Sequence, residues 1–447
     1  MPPVLAAAVF AGGILLLFRL DRAGGRDVSP ALWIPTVWLL IAGSRLLSEW
    51  QVAAGAAESP DQYFDGSPID RLVLSGLLVS GAAVLVARRE RALAFLARNA
   101  VLVLLFVYVG ASVFWSDYPD VAFKRWTKAL GDLVMVMVVL TDPHPIDAMK
   151  RLLTRAALVL VPISVLLIKY FPDWGRGYEP WTWTPYYGGV ATGKNSLGYV
   201  CLVCGLATVW RLLATFAETD ASRRAREQIA HGAVLMMTLW LFWMANSATS
   251  FACFLVGSAL LLVASAPGFA RTRTAPHVVM GAVVCAAITI VLFNADAALV
   301  QAMGRDSTLT GRTELWQTLG RMVVDPLFGA GYESFWLGDR VVKLWSVYWW
   351  HPRQAHNGYL EVFLNLGTVG LALIGVVVAW GYRNVATAFA RDPGAARLRL
   401  AFLVVALAYN VTEAAFKMMH PVWIALLLAV AVPNEALRRT RPVRADR

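Results

Sequence analysis

Apolar runs close to the length of a bilayer crossing recur from residue 4 to residue 432, separated by short polar links. A hydrocarbon core about 30 Å thick takes about 20 helical residues to cross, so this repetition leaves little of the chain for anything but membrane-spanning helices. Composition agrees: 58% of the residues are hydrophobic and 15% are charged, whereas soluble domains carry about 25% charged residues. About thirteen candidate spans follow, near 4–20, 31–48, 70–87, 99–115, 128–141, 155–170, 195–212, 231–246, 249–266, 276–294, 357–380, 398–415 and 419–433. The expected fold class is all-α, a polytopic transmembrane helical bundle of about 12–13 spans with a large extracytoplasmic helical loop. The expected organisation is transmembrane helices over 1–294, the loop over 295–356, and further transmembrane helices with a cytoplasmic tail over 357–447.

Sidedness follows from the basic residues. Alternate links carry the clusters Arg19/Arg22/Arg26, Arg88/Arg89/Arg91, Lys150/Arg151/Arg155, Arg223/Arg224/Arg226, Arg271/Arg273 and Arg391/Arg397/Arg399, together with the tail from Arg438. Positive links stay in the cytoplasm, which places the N-terminus outside and the C-terminus inside. The net charge of +11 is spread over many links rather than gathered on one face, so nucleic acid is the wrong partner. The first 20 residues lack a basic leader and a small-residue cleavage site, and they read as a first span. The four cysteines (Cys201, Cys204, Cys253, Cys285) all fall inside apolar spans and read as packing residues.

Four segments lie on the external side: 49–69, 116–128, 171–195 and 295–356. The third is crowded with Trp174, Trp181, Trp183, Tyr186 and Tyr187. Two readings stand for it: an interfacial aromatic belt, or a stacking surface for an amphipathic ligand such as a sugar. The fourth is the longest link in the chain, and long links are usually functional. Within it "TGRTELWQTLGRMV" predicts a helix with Gly311 as N-cap, Glu314 at the third position, and Leu315, Leu319 and Met322 at helical spacing.

Three motifs on this side carry chemistry. "TGKNSLG" puts Lys194 and Asn195 at a helix start, where exposed N–H groups and a lysine make an anion site; an interfacial snorkelling lysine is the other reading. "GRDSTLTGRTELW" holds Arg305 and Arg312, whose guanidinium forks match phosphate or carboxylate geometry. Arg312 falls in the first turn of the expected helix, where a cation opposes the helix dipole. It either meets an anion or pairs with Asp306 or Glu314. Finally, "HNGYLEVFLNLGTVGL" opens a span with His356, and Asn357, Glu361 and Asn365 follow at i, i+4 and i+8 as one polar stripe. Polar side chains at that depth are costly and face a cavity or the bundle interior. Gly367 and Gly370 below them allow close packing or a kink. Packing explains the glycines but not an imidazole, a carboxylate and two amides, so the stripe reads as functional. His351 and His356 are separated by Pro352 and have no carboxylate at ligand spacing, which speaks against a metal site. No Gly-rich phosphate loop or DxD-type pair stands on the cytoplasmic side, which counts against a nucleotide-sugar enzyme using Mg²⁺.

The stretch His356, Asn357, nine residues, Gly367, two residues, Gly370 resembles the hallmark motif of the O-antigen ligase and O-antigen or exopolysaccharide polymerase superfamily. "TLTGRTELW" looks like the arginine-bearing segment of the large periplasmic loop in its exopolysaccharide polymerases, and "GVATGKNSLGYV" and "KRWTKALGDLVMVMVVL" are similar to other parts of them. The resemblance covers most of residues 115–420. It implies a multi-pass protein of the bacterial inner membrane that moves a glycan from an undecaprenyl-diphosphate carrier to an acceptor, either another carrier-linked glycan or lipid A–core. No metal or other cofactor and no nucleotide sugar is implied; the partners are the glycan donor, the acceptor and membrane lipids, with no nucleic acid. Carried over, Arg312 would hold the carrier diphosphate, Lys194 would assist, and His356 would take the acceptor's proton with inversion of the anomeric centre. Asn195, Arg305, Asn357 and Glu361 are the remaining candidate substrate contacts. Ligases of the family have arginine where Lys194 stands, so Arg176 and Lys124 are substitutes for the second diphosphate contact. The family also has twelve spans with both ends cytoplasmic, against thirteen here. The alternative from another class is a transporter or flippase of a lipid-linked or anionic substrate, using Asp132, Glu361 and Glu413 as intramembrane polar groups.

Overall fold

The computed structural model describes residues 1–21, 27–51, 66–179, 183–266, 268–269, 274, 276–278, 280–282 and 308–434. These are almost wholly helical. In chain order the main helices are α1 (Pro3–Leu20), α2 (Trp33–Ala42), α3 (Pro68–Ala87), α4 (Arg89–Arg98), α5 (Ala100–Ala111), α6 (Pro119–Leu140), α7 (Pro145–Tyr170), α8 (Lys194–Thr215), α9 (Ala221–Ala245), α10 (Ala248–Ser265), α11 (Thr308–Arg321), α12 (Asp339–Val347), α13 (Gly358–Ala388), α14 (Pro393–Thr412) and α15 (Pro421–Val430). Between α7 and α8 a two-stranded antiparallel hairpin, β1 (Arg176–Tyr178) and β2 (Pro185–Tyr187), pairs Arg176 with Tyr187.

Among the described residues eight helices are long and apolar enough to cross a membrane, or nine if α4 and the α5 segment, bent by 87° against each other, count as one. The all-α bundle holds, and among the described residues the full-length spans are fewer than the thirteen expected. The expected spans near 31–48 and 419–433 shorten to the ten-residue helices α2 and α15. Gly43 ends α2, and the residues before α15 form an irregular link closed by the His420 cap and Pro421. Expected span 276–294 lies mostly outside the described residues. The span expected at 128–141 is the inner part of α6, which starts nine residues earlier and carries Lys124, Arg125, Lys128 and Asp132 along it.

Burial sorts the helices into layers. In α8 and α14 72% of the spanning window is buried, against 11% in α1, so the first two are central and α1 presents its apolar side chains outward. All ten residues of α15 are buried. Helix α8 packs against α7, α9, α10 and α14, and α14 against α13 and α15. A second apolar cluster lies beside this core: Leu315 and Leu319 of α11, Phe335, Trp336, Leu344 of α12, and Leu364 of α13. It seats residues 308–356 on the start of α13.

Among the described residues, helix ends on the side expected to be cytoplasmic come together at one end of the bundle. There Arg211 bridges Asp21 (3.0 Å) and Glu227 (3.1 Å), His231 meets Asp21 (2.9 Å), and Arg88 meets Asp142 (3.4 Å). The N-termini of α3, α6, α8, α13 and α15 lie at the other end.

Helix α13 is broken at Gly367, whose φ of 64° and ψ of −165° are not helical. A break inside a span strands backbone groups that lipid cannot satisfy. The segment 325–330 supplies the partners. Thr368 N donates to the Pro326 carbonyl (2.9 Å), Val369 N to that of Leu327 (3.2 Å), and Ala330 N to that of Leu364 (3.0 Å). The Tyr108 hydroxyl donates to the Leu366 carbonyl (2.8 Å). A Cβ at Gly367 would overlap the Leu327 carbonyl, and one at Gly329 (φ 72°) would overlap the backbone of Asn365. Both glycines are therefore required by the docking. Replacing Gly367 with alanine forces a left-handed side chain, at about 1–3 kcal/mol, and adds the overlap; we expect a lower thermal midpoint in detergent and cleavage of the 325–336 segment by added protease. An unchanged midpoint and protease pattern would show that the docking does not need this glycine.

Candidate active site

The end of the bundle that holds the start of α13 also gathers polar and charged groups of residues 194–195, 312, 354–357 and 412–417, and Asn195, Arg312 and His356 converge on one carboxylate. Glu413 follows the last residue of α14, with its backbone N–H still bonded to the Tyr409 carbonyl (3.0 Å). Its Oε2 lies 3.2 Å from His356 Nδ1. Its Oε1 accepts from Arg312 Nη2 (3.4 Å) and from Asn195 Nδ2 (3.3 Å). Arg312 Nη1 donates to the neighbouring Thr412 carbonyl (2.7 Å). Three sites separated widely in sequence thus meet on a side chain that is 8% exposed, while His356 and Arg312 retain 20% and 23% exposure. The carboxylate is covered and the two groups that hold it can still be reached.

Burial alone would raise the pKa of Glu413. The hydrogen bond and charge of His356, and then those of Arg312, outweigh it and hold the carboxyl below its ordinary value. An ionised Glu413 only accepts hydrogen bonds, so Nδ1 of His356 is the donor whether the ring is charged or neutral, and in the neutral ring the lone pair falls on Nε2. Orientation of a base by an ionised partner in this way is a general feature of imidazole catalysis. Gln354 Nε2 stands 3.4 Å from the same Nδ1, and its Oε1 accepts from Lys417 Nζ (3.1 Å).

His356 is held in a left-handed backbone conformation, with φ at 50°, which costs about 1–3 kcal/mol for a non-glycine residue. Its two neighbours supply the restraint. On one side Ala355 N donates to Glu361 Oε2 (2.8 Å). On the other, Asn357 caps α13, with its side chain accepting from Tyr359 N and Leu360 N (3.0 Å each). Glu361 also accepts from the indole of Trp336 and from Asn365 Nδ2, and Asn365 Oδ1 accepts from Phe335 N (3.1 Å). The expected polar stripe therefore exists, but it faces the 325–336 segment and the turn around His356. Glu361 is 6% exposed with both oxygens engaged by the chain. Its contacts and those of Asn357 hold the backbone on either side of His356.

The other expected contacts divide. Asn195 joins the Glu413 cluster, and its neighbour Lys194 opens α8 after Gly193 and pairs with Glu179 at 3.3 Å, both side chains well exposed. An exposed pair of this kind contributes about 0–1 kcal/mol and yields readily to a stronger anion. Arg176 is held elsewhere, on β1, with Nε donating to the Ile168 carbonyl (2.9 Å) and the guanidinium over Tyr187. Lys124 lies on α6, along a separate cleft with α3. Arg305 lies outside the described residues, as does Trp181. The expected N-cap at Gly311 is overturned: α11 starts at Thr308, so Gly311 is internal to it. Arg312 then lies beyond the first turn, where the dipole has largely faded, and its burden is met by Glu413 and Thr412. Of the aromatic hairpin residues, Trp183 is 76% exposed against Tyr178, whereas Trp174 packs on Trp50.

The group that sequence reasoning placed wrongly is Glu413, assigned there to a transporter. Its signal was a lone carboxylate at the outer end of an apolar run, but nothing in "NVTEAAFK" names its partners. Asp132, in the same reading, is fully buried and accepts from Trp38 Nε1 (2.8 Å) and Met419 N (2.9 Å), tying α2 and the link before α15 to α6. Among the described residues no three His, Cys, Asp or Glu side chains are grouped to hold a metal ion.

A family pattern described as O-antigen ligase matches residues 231–375, a stretch that includes Arg312, His356, Gly367 and Gly370. The exopolysaccharide production protein ExoQ of Rhizobium meliloti (strain 1021) is 25% identical over 287 residues, covering 62% of this chain and 62% of that protein. The chain thus matches somewhat less than two thirds of the curated relative's length.

The depressed Glu413 pKa has a sign that can be tested. A carboxyl whose folded value lies below its ordinary 4.5 stabilises the fold above that value, and the contribution is lost as pH falls through the folded one. The thermal midpoint in detergent should therefore drop as pH is lowered from about 5 into the region below the ordinary glutamate value. Glu413→Gln should flatten that slope and lower stability at neutral pH by about 1.5–3 kcal/mol, the worth of hydrogen bonds to a charged group. Equal slopes in the two proteins would remove Glu413 from this role.

Proposed function

Starting from a chain that falls with the O-antigen ligases and the exopolysaccharide polymerases, we propose that it is a glycosyltransferase of the bacterial inner membrane. It takes a glycan from an undecaprenyl-diphosphate carrier on the periplasmic face and passes it to an acceptor hydroxyl. The observation that carries this reading is the meeting of His356 and Arg312 on Glu413, with a base and an anion-binding guanidinium side by side at the membrane boundary.

In this reading the residues around Glu413 divide the chemistry among them. The bond that breaks joins the anomeric carbon to the carrier diphosphate, and negative charge grows on the departing oxygen. Arg312 is placed to take that charge. A fixed donor aimed at a developing anion contributes about 10²–10³ in rate. In the resting protein Glu413 neutralises the same guanidinium, so the diphosphate replaces one anion by another and the cation is never left bare. Lys194, at the start of α8 one residue from Asn195, releases Glu179 and supplies a second positive charge. The acceptor hydroxyl loses its proton to His356 Nε2 as its oxygen bonds to the anomeric carbon from the opposite face, inverting the centre. The resulting imidazolium is stabilised by Glu413 through Nδ1, and the proton leaves to the freed diphosphate or to water. No nucleotide or metal is needed in this scheme, because a diphosphate is already a good leaving group. The likeness to an exopolysaccharide production protein supports a polymer-forming version, in which the acceptor is itself a lipid-linked glycan.

The test uses purified protein in lipid, supplied with undecaprenyl-diphosphate oligosaccharide and no nucleotide or metal, with and without lipid A–core. Longer carrier-linked chains from donor alone are the expected product; product only with lipid A–core would make it a ligase. Movement of donor across the bilayer without a new glycosidic bond would replace the proposal by a transporter. His356→Ala should lower turnover by about 10²–10⁴-fold, the range for a positioned acid or base, with donor KM little changed. Arg312→Lys should lower turnover by about 10²-fold, because an ammonium keeps the charge but loses the fork. Full turnover in the His356 variant would end the base role.

A further inference from the structure

Three residues beside His356 have no task in the transfer scheme above: Trp350, Gln354 and Lys417. Arg312 reaches the imidazole only through Glu413. A second line of contacts leaves the imidazole through Gln354, whose Nε2 stands 3.4 Å from Nδ1 and whose Oε1 accepts from Lys417 Nζ (3.1 Å). The Trp350 ring lies next to the same imidazole, 6.4 Å between centroids and tilted by 45°.

The link that carries Trp350 is fastened on both sides. The Trp345 indole of α12 donates to the Pro352 carbonyl (3.0 Å) and stacks on His351 at 4.6 Å, and His351 is itself left-handed (φ 47°). Trp316 of α11 donates to the Ala355 carbonyl (2.7 Å). Tyr348 meets Trp350 edge to face at 5.9 Å and shares a hydrogen bond with Thr318 (2.8 Å). A buried tryptophan usually finds an acceptor for its N–H, as Trp316, Trp336 and Trp345 do. Trp350 is half-buried and has no such acceptor among the described residues. Its ring is placed by its neighbours, and its N–H remains available to a ligand. Lys417 is half-buried too. An ammonium has three donors, yet among the described residues the partner of this one is the neutral Gln354 amide. Glu361 lies within reach of its charge, but both Glu361 oxygens are taken by Trp336, Asn365 and Ala355. Glu413 is likewise committed to His356, Arg312 and Asn195.

An aromatic face with amide and ammonium donors at its edge suits a pyranose, whose C–H face is apolar and whose rim carries hydroxyls. Resting on the glycosyl-transfer reading, in-line displacement puts the acceptor oxygen and the departing diphosphate on opposite faces of the anomeric carbon. Groups that join the base without passing through Arg312 then belong with the acceptor. We propose that Trp350, Gln354 and Lys417 form the acceptor subsite. The sugar bearing the attacking hydroxyl lies on the Trp350 indole, and Gln354 and Lys417 donate to the hydroxyls next to it, so that the attacking one meets His356.

The test uses the full chain in lipid and, as acceptor, the oligosaccharide of its own donor released from the carrier by mild acid. That oligosaccharide keeps the attacking hydroxyl and can no longer donate. Acceptor KM is read from transfer of a carrier-linked chain, and binding of the released oligosaccharide from saturation-transfer NMR, which needs no turnover. Trp350→Ala should raise acceptor KM about tenfold, the worth of one good aromatic contact. Donor KM should be unchanged and turnover at saturation should stay within about twofold, as for a residue that only binds. Trp350→Phe should stay near wild type, which separates the lost ring from a lost fold. Lys417→Gln should raise acceptor KM and Lys417→Arg should not. Trp349→Ala, which removes a neighbouring ring that is 63% exposed, should leave acceptor KM unchanged. Lower turnover at unchanged acceptor KM in the Trp350 and Lys417 variants would make these residues supports of His356 and overturn the proposal, as would an equal rise of acceptor KM in Trp349→Ala. Trp350-dependent binding in a protein that forms no glycosidic bond would overturn the transfer reading and the acceptor role with it, leaving a glycan-binding site. Full transfer with no dependence on Trp350 would overturn this subsite alone.

Discussion

A buried carboxylate in a membrane protein demands partners, and Glu413 finds them on three different segments. Asn195 comes from the start of α8, Arg312 from helix α11, and His356 from the turn before α13. Isolated, each would be a polar residue at an interface. Together they fix where α11 sits over the bundle, because the guanidinium that reaches Glu413 also caps the end of α14 through Thr412. The cost of removing a charge from water is several kcal/mol per ion, and it is offset here only if all the donors arrive. The arrangement is therefore cooperative: the site exists when the outer segment is docked and not otherwise.

A second layer of polar contacts stands behind His356 and does not include Glu413. Glu361, Asn365 and Asn357 hold the backbone around His356 and bind the 325–336 segment. A left-handed histidine is strained, and strain persists only where the surroundings over-determine it. Two flanking residues each anchored by a side chain meet that condition. The imidazole is thus held at one orientation by the chain's own contacts.

Much of this was legible in the sequence, for reasons that differ by element. The apolar runs announced the bundle, since lipid imposes length and composition directly. The His356-to-Gly370 stretch announced itself because its polar residues had no business at a membrane boundary. What could not be read was pairing. Glu413 stands 57 residues from His356 and 101 from Arg312, and periodicity carries no information over that range. Helix α6 misled for the opposite reason: its cations made its outer half look like a link, although the helix is continuous from Pro119 to Leu140. The stripe Asn357–Glu361–Asn365 was read as lining the site because its neighbour, the 325–336 segment, was not visible as a packed strap. Gly311 looked like a cap because glycine is common there, whereas the helix begins three residues sooner.

The break at Gly367 sets an order of assembly. The groups that complete it, the carbonyls of Pro326 and Leu327 and the N–H of Ala330, belong to a segment that leaves the ribosome some forty residues earlier. When α13 enters the membrane, its missing partners are already made. If sidedness is as the basic links indicate, those partners have also already crossed to the far side. The helix can thus be interrupted within the bilayer without passing through a stage in which its orphaned amides face lipid. A circular permutation that placed residues 325–330 after α13 would preserve every contact in the finished fold and still deprive the insertion step of its template.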